Sequence, residues 1–278
     1  MNRTRTFMLM VGLTVLFVLV GGAIGGRQGV IWAFILAAGM NFYSYWFSDK
    51  LVLKHYQARE VGPSDGGRLY STVAELTQAA GLPMPKVYLI PQKAPNAFAT
   101  GRNPHHAAVA ATEGILDILD DDELAGVMAH ELAHVKNRDI LTGSIAATFA
   151  GAIAMLGQFA RFGAAGSRQR SNPLALLVVI IGAPLAAMAI RMAISRNREF
   201  AADEGGSGIS GKPLGLARAL AKLQQSAARI PMTRGNPGHA HMFIVNPFLG
   251  RLQKLFSTHP PAEERIRRLE ILAQRYQA

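Results

Sequence analysis

No cysteine occurs in the 278 residues. Disulfide staples, thiolate nucleophiles and cysteine-ligated metal sites are therefore excluded, and any metal must be held by histidine and carboxylate. Charge is scarce as well: 17% of residues are Asp, Glu, Lys or Arg, against 50% hydrophobic. The apolar residues gather in a few blocks instead of recurring at amphipathic spacing, which argues against a purely water-soluble protein. Acidic residues are outnumbered 18 to 29, leaving a formal charge of +11. The basic excess lies largely beside the apolar blocks, where anionic headgroups attract it. No helix-turn-helix, zinc-finger or aromatic-plus-basic strand pattern accompanies it, so the expected partner is the lipid bilayer and not nucleic acid.

The chain opens with two apolar blocks, Phe7 to Ile24 and Ile31 to Phe47. Arg3 and Arg5 give the first the look of a signal peptide, but no small-x-small cleavage pattern separates the two, and only Gly25-Gly26-Arg27-Gln28-Gly29 joins them. An uncleaved transmembrane helical hairpin is expected. Trp32, Tyr43, Tyr45 and Trp46, near the ends of the second block, suit an interfacial aromatic belt. Arg3 and Arg5 before the pair and Lys50, Lys54 and Arg59 after it put both outer ends on the cytoplasmic side. A third and a fourth apolar block, Ile140 to Ala160 and Leu174 to Ile190, come later, with Arg161, Arg168 and Arg170 between them. Those arginines oppose a simple second hairpin, so the blocks either cross, dip in and return, or lie on the protein.

Between the two apolar regions the sequence reads as a globular protein. Leu69, Val73, Leu76 and Ala80 share one helical face that Gly81 and Pro83 terminate. Lys86 to Ile90 reads as a strand, and Ala97 to Thr100 with Ala107 to Thr112 as a hairpin around Gly101-Arg102-Asn103-Pro104. Asp120, Asp121, Asp122 and Glu123 then place negative charge where a helix macrodipole favours it, at a helix start.

That helix carries His130-Glu131-Leu132-Ala133-His134, an H-E-x-x-H pattern. Residues four apart share a helical face, so both imidazoles can reach one metal ion. Zinc suits them: it takes neutral imidazole and carboxylate, and with three protein ligands keeps a fourth position for water. Glu131, beside the first ligand, is placed to take the proton of a water attacking a peptide carbonyl. A third ligand must come from elsewhere. Glu199 and Asp203 stand one helical turn apart, the first able to reach a metal and the second to orient a ligating histidine. By themselves they read first as a solvated helix face with Arg196 paired to Glu199.

Five segments together resemble the HtpX family of bacterial membrane zinc metalloproteases, relatives of the CAAX prenyl proteases. They are Asn96 to Gly101, His130 to Asp139, Arg198 to Asp203, Ala240 to Pro247 and Ser257 to Pro261, and with the early hairpin they spread the likeness over nearly the whole chain. The resemblance implies one Zn2+ per chain held by His130, His134 and Glu199, with Glu131 as the catalytic residue. It implies that Asp203 and His259 support the ligands without touching the metal, although Thr258-His259-Pro260-Pro261 also reads as a helix start. Asn96, Ala97, Phe98, Ala99 and Thr100 look like the edge strand beside the cleft, able to align a substrate backbone by strand addition.

The expected fold is mainly α with a small β-sheet: a zincin-like metalloprotease domain with an N-terminal transmembrane hairpin and a second apolar hairpin inserted between the two metal-ligand helices. This divides the chain into residues 1–60 for the first hairpin, 61–139 and 195–278 for the two parts of the catalytic domain, and 140–194 for the second hairpin. The expected activity, from the family likeness, is hydrolysis of misfolded or damaged membrane proteins in quality control, at the bacterial cytoplasmic membrane and on its cytoplasmic side. A non-catalytic membrane scaffold with a structural zinc is the alternative; such a site needs no base and would ordinarily use a fourth protein ligand. Gly206 to Lys212 imitates a phosphate-binding loop, but Pro213 stands where Ser or Thr is needed, and the glycines from Gly205 to Gly211 read instead as a mobile loop near the cleft. His105-His106 and the pair His239 and His241 read as surface.

Overall fold

The computed structural model describes residues 2–143, 145, 196–227, 244 and 260–277. Four short strands form one sheet: β1 (Arg59–Val61), β2 (Lys86–Ile90), β3 (Ala97–Gly101) and β4 (Ala107–Thr112), in the order β1-β2-β4-β3. β4 runs parallel to β2 and antiparallel to β3, which is one of the two edge strands among the described residues. β4 reads Ala-Ala-Val-Ala-Ala-Thr and is buried along its length. Its alternation sends Ala107, Val109 and Ala111 into the main core and Ala108 and Ala110 into a smaller cluster on the other face.

Among the described residues seven α-helices accompany the sheet: α1 (Asn2–His55), α2 (Gly67–Ala80), α3 (Glu113–Ile118), α4 (Asp121–Lys136), α5 (Arg196–Ser210), α6 (Pro213–Ala227) and α7 (Ala262–Gln277). α2 buries Leu69, Val73, Leu76 and Ala80, the face its spacing indicates, and ends at Gly81, whose φ of 65° is the left-handed conformation that glycine adopts freely. α4 starts with a reciprocal capping box, the Asp120 carboxylate accepting from the Glu123 N–H at 2.9 Å and the Glu123 carboxylate from the Asp120 N–H at 2.9 Å. A cap of this kind stabilises a helix by about 1 kcal/mol. α4 is then buried from Glu123 to Ala133, as a helix enclosed by the core must be.

α5 and α6 lie against α4 at unusually short range. A Cβ on Gly206 of α5 would sit 2.7 Å from the His130 backbone nitrogen, and one on Gly126 of α4 would sit 2.6 Å from the Leu216 nitrogen of α6. Here the structure corrects the sequence reading: Gly205 to Ser210 belong to helix α5 and not to a loop, because the missing side chains are what admits α4. Pro213 opens α6, a position where a proline's missing N–H costs nothing.

α1 carries helical backbone from Asn2 to His55, but it is not one rod. A straight helix would hold residues 10 and 41 about 46 Å apart. Instead the Asn41 side chain donates to the Met10 carbonyl oxygen at 3.3 Å and to the Thr14 hydroxyl at 2.8 Å. The chain doubles back near Gly26, whose φ is +54°. Of the two arms, Gly26–Phe47 is long and apolar enough to cross a membrane, with only 11% of its apolar window buried, while Thr6–Leu19 is shorter. At its end α1 packs Val52, Leu53 and Tyr56 against Ile90, Phe98, Ala108 and Ala110, so the hairpin is fastened to the outer face of the sheet. The third and fourth apolar blocks lie outside the described residues, apart from the first few of the third.

Candidate metal centre

His130 and His134, one turn apart on α4, bring their Nε2 atoms to 3.2 Å from each other. Each ring is held from behind. His130 Nδ1 lies 2.9 Å from Asp203 Oδ1, and His134 Nδ1 lies 3.1 Å from Asp139 Oδ2. A carboxylate at Nδ1 fixes the tautomer whose Nε2 lone pair is free for a ligand. Glu199 of α5 completes the group, with its two carboxylate oxygens 3.8 Å from His130 Nε2 and 3.6 Å from His134 Nε2. Nitrogen and oxygen ligands of a tetrahedral zinc, at about 2.0–2.2 Å from the ion, stand about 3.3–3.6 Å from one another. Distances of 3.2, 3.6 and 3.8 Å nearly match that spacing. Two imidazoles and one carboxylate, with no fourth protein ligand gathered among the described residues, are also the donor set of an open zinc site. The residues fit the metal.

Glu131 is buried in the same pocket yet stands outside the ligand group. Its carboxyl is pushed up to about 7, chiefly by burial and further by the Glu199 charge, against the pull of His134, of a hydrogen bond from the Ala99 backbone and of Arg265. That bond sets Glu131 against the edge strand. Burial opposes protonation of His134, but the Asp139 hydrogen bond and the charges of Glu199 and Glu131 outweigh it and lift the ring to about 9. His130 is pushed the other way, by burial first and by the Arg265 charge, despite Asp203.

Two residues at the site escaped the sequence reading. Arg265 of α7, 2% exposed, forks onto Asp203 with Nη2–Oδ1 at 2.6 Å and Nε–Oδ2 at 2.8 Å, and donates from Nη1 to the Ile244 carbonyl at 3.3 Å. Burial alone would raise the Asp203 carboxyl, but Arg265 and His130 outweigh it and hold it down at about 2. The signal for Arg265 was its place in the buried stripe of α7, four residues before Leu269 and eight before Ala273. Asp139 was visible only as part of a family segment, and its bond to His134 depends on how α4 ends.

The strand residues are placed differently from one another. Ala97 and Ala99 face the main core with α4, Phe98 faces the outer cluster with Tyr56, and Thr100 is fully buried. Asn96 precedes the strand and uses its Oδ1 to accept from the Ala97 N–H at 2.8 Å, while its own N–H donates to Thr112 Oγ1 at 2.8 Å. His259 lies outside the described residues. His105 and His106 are exposed in the β3–β4 turn, apart from the metal group.

Residues 63–273 match the model of peptidase family M48. The chain belongs to that family. Within M48 it is 58% identical to a protease HtpX homolog from Syntrophotalea carbinolica over 277 residues, covering 97% of this chain and 98% of that one. It is 57% identical to a protease HtpX homolog from Ralstonia pickettii, covering 98% and 97%. It is therefore an HtpX-type M48 metallopeptidase, and its His130, His134 and Glu199 site is consistent with zinc. The crystal structure of S. mikatae Ste24p matches with a TM-score of 0.55 at 15% identity, covering 96% of this chain and 65% of that longer one. At that identity the likeness speaks for the fold, which is mainly helical with a small sheet, as in Ste24p.

Proposed function

We propose that this M48 enzyme is a zinc-dependent endopeptidase of the bacterial cytoplasmic membrane that cleaves misfolded or damaged membrane proteins from the cytoplasmic side. One observation carries the catalytic part. Glu131, buried and held by the Ala99 backbone, lies beside three converging ligands without joining them. A structural zinc would have no use for such a group, which disfavours the scaffold reading.

His130, His134 and Glu199 would hold the ion, which when bound supplies a Lewis acid for the scissile carbonyl and for a water. Glu131 takes one proton from the attacking water as its oxygen bonds to the carbonyl carbon. It then hands that proton to the amide nitrogen as the C–N bond breaks, leaving an amine and a carboxylic acid, which ionises by giving its own proton to the amine or to solvent. The burial of Glu131 beside the ligand group, outside it, suits a group that must both accept and return a proton. Asp203 and Asp139 keep the two imidazoles aimed, and Arg265 keeps Asp203 ionised. With Ala97 and Ala99 directed into the main core and Phe98 into the outer one, β3 offers a substrate its backbone, in keeping with strand addition along its edge.

The membrane assignment rests on the exposed apolar surface of α1, where Trp32 is 62%, Phe34 56% and Phe42 63% exposed. The flanking basic residues favour a cytoplasmic catalytic domain. Purified protein in detergent, given an unfolded membrane protein, should cleave it and stop on zinc chelation. Cleavage that survives complete metal removal would overturn the reading. Single cysteines at Ser64 and Ser226 should label only from the cytoplasm, and periplasmic labelling of either would reverse the orientation.

A further inference from the structure

A cavity of about 480 Å³ lies where the N-terminal hairpin, the β3–β4 turn and the end of α4 meet. Arg102, Asn103, Arg138 and Tyr45 line it together with the apolar side chains of Phe7, Met10 and Leu141, and among the described residues no carboxylate does. Its two cations are set in place by separate devices. The Arg102 guanidinium lies 4.3 Å from the centre of the Trp46 ring, a cation–π contact that holds the β3–β4 turn against α1. Arg138 sits at φ +59° just beyond α4. That left-handed residue closes the helix, with Arg138 N–H bonded to Val135 O at 3.1 Å and Asp139 N–H to His134 O at 2.9 Å. Glycine is the ordinary choice there, and a residue with a side chain costs about 1–2 kcal/mol. The same turn that returns Asp139 to His134 thus leaves an exposed arginine at the cavity.

The depth of the cavity matters. Tyr45 and Trp46 stand at the C-terminal end of the apolar stretch Gly26–Phe47, and Phe7 and Met10 lie on the other arm, so the cavity is level with the end of the apolar region. In a bilayer that level holds phosphate groups above and acyl chains below. We propose that this cavity binds the phosphate of an anionic phospholipid, with Arg102 and Arg138 on the phosphate and Phe7, Met10 and Leu141 against the first acyl methylenes. The proposal rests on the membrane reading of the hairpin. Two guanidiniums present planar forks to phosphate oxygens, and a quaternary-ammonium headgroup would set a third cation against them. Because Arg138 adjoins Asp139, the bound lipid would brace the segment that aims His134.

The test is native mass spectrometry of the full chain in nonionic detergent, with phosphatidylglycerol, phosphatidylcholine of the same acyl chains, and inorganic phosphate as probes. Phosphatidylglycerol should bind one per chain and at least about tenfold more tightly than phosphatidylcholine, and Arg102→Gln with Arg138→Gln should abolish that preference. Helix content by circular dichroism checks the fold of the double variant. If it fails to fold, Arg138→Gln alone, at an exposed position, should still lower the preference several-fold. Equal binding of the two lipids, or an unchanged preference in the folded variant, would overturn the proposal, as would tight inorganic phosphate binding that excludes the lipid. Partition of the chain into the membrane fraction is measured alongside. A chain that stays with the membrane but shows no lipid preference sinks this proposal alone, whereas a chain soluble without detergent sinks the membrane reading and this one with it.

Discussion

Asp203 Oδ1 lies 2.9 Å from His130 Nδ1, so a carboxylate on α5 holds from behind the ring of a proposed ligand on α4. Among the described residues the same carboxylate is the nearest ion-pair partner of Arg265, which is 2% exposed, with Glu199 next at 3.9 Å. Asp203→Ala therefore removes the partner of His130 and takes from a buried cation its closest counter-charge at once. Zinc affinity should fall about 10–100-fold, and unfolding free energy by about 3–5 kcal/mol. Chelator competition and denaturant unfolding measure the two; if both stay at wild-type values, Asp203 has no such role.

The metal-free protein should lose stability as pH rises from about 6.5 to about 9. His134 has its folded value raised to about 9 from 6.5, so the stabilisation it confers is complete below 6.5 and gone above 9. Glu131, raised to about 7 from 4.5, acts in the same direction over the lower part of that range. In this window the native state binds more protons than the unfolded one, and stability falls with pH. Thermal unfolding of chelator-treated protein at pH 6.5, 7.5 and 9 checks the sign. In Asp139→Asn the decline should be smaller, and a melting temperature that climbs with pH would contradict the assignment.

Gly206 is a spacing residue, and its replacement should act on the metal through α5. A methyl group there meets the His130 backbone nitrogen at 2.7 Å, whereas one on Gly208 meets only the Tyr276 hydroxyl at 3.5 Å. Gly206→Ala should cost about 1–3 kcal/mol and weaken zinc binding by moving Glu199 away from the histidines. Gly208→Ala, in ordinary contact and at a helical position, should gain up to about 1 kcal/mol. Equal stabilities for the two variants would show that the close approach does not matter.

The local parts of the fold were legible because local rules decide them. The 3.6 period of α2, the acidic cap of α4 and the Gly101-Arg102-Asn103-Pro104 turn between β3 and β4 each specify an element within a dozen residues, and the four-residue spacing of His130 and His134 specifies a shared face. What brings Glu199 to them is not local. It depends on Gly206 seating α5 on α4, and the propensity of Gly205-Gly206-Ser207-Gly208 points the other way, towards a loop. Packing overrides propensity there. Arg265 was hidden for a similar reason: in Glu263-Glu264-Arg265-Ile266-Arg267-Arg268 its charge reads as one more solvated residue, and only its register with Leu269 betrays a buried position. Asp139 becomes a partner of His134 through the left-handed turn at Arg138, which an arginine does not announce.

The central claim is that Glu131 handles the proton while His130, His134 and Glu199 handle the metal, and paired zinc and cleavage measurements on two variants test it most directly. Glu131→Gln should retain about one zinc per chain, because its side chain is outside the ligand group, and should lose peptide cleavage by at least about 100-fold. Glu199→Ala should lose both, because it removes one of three ligands. Wild-type cleavage by Glu131→Gln, or full zinc occupancy in Glu199→Ala at limiting metal, would contradict this division of roles.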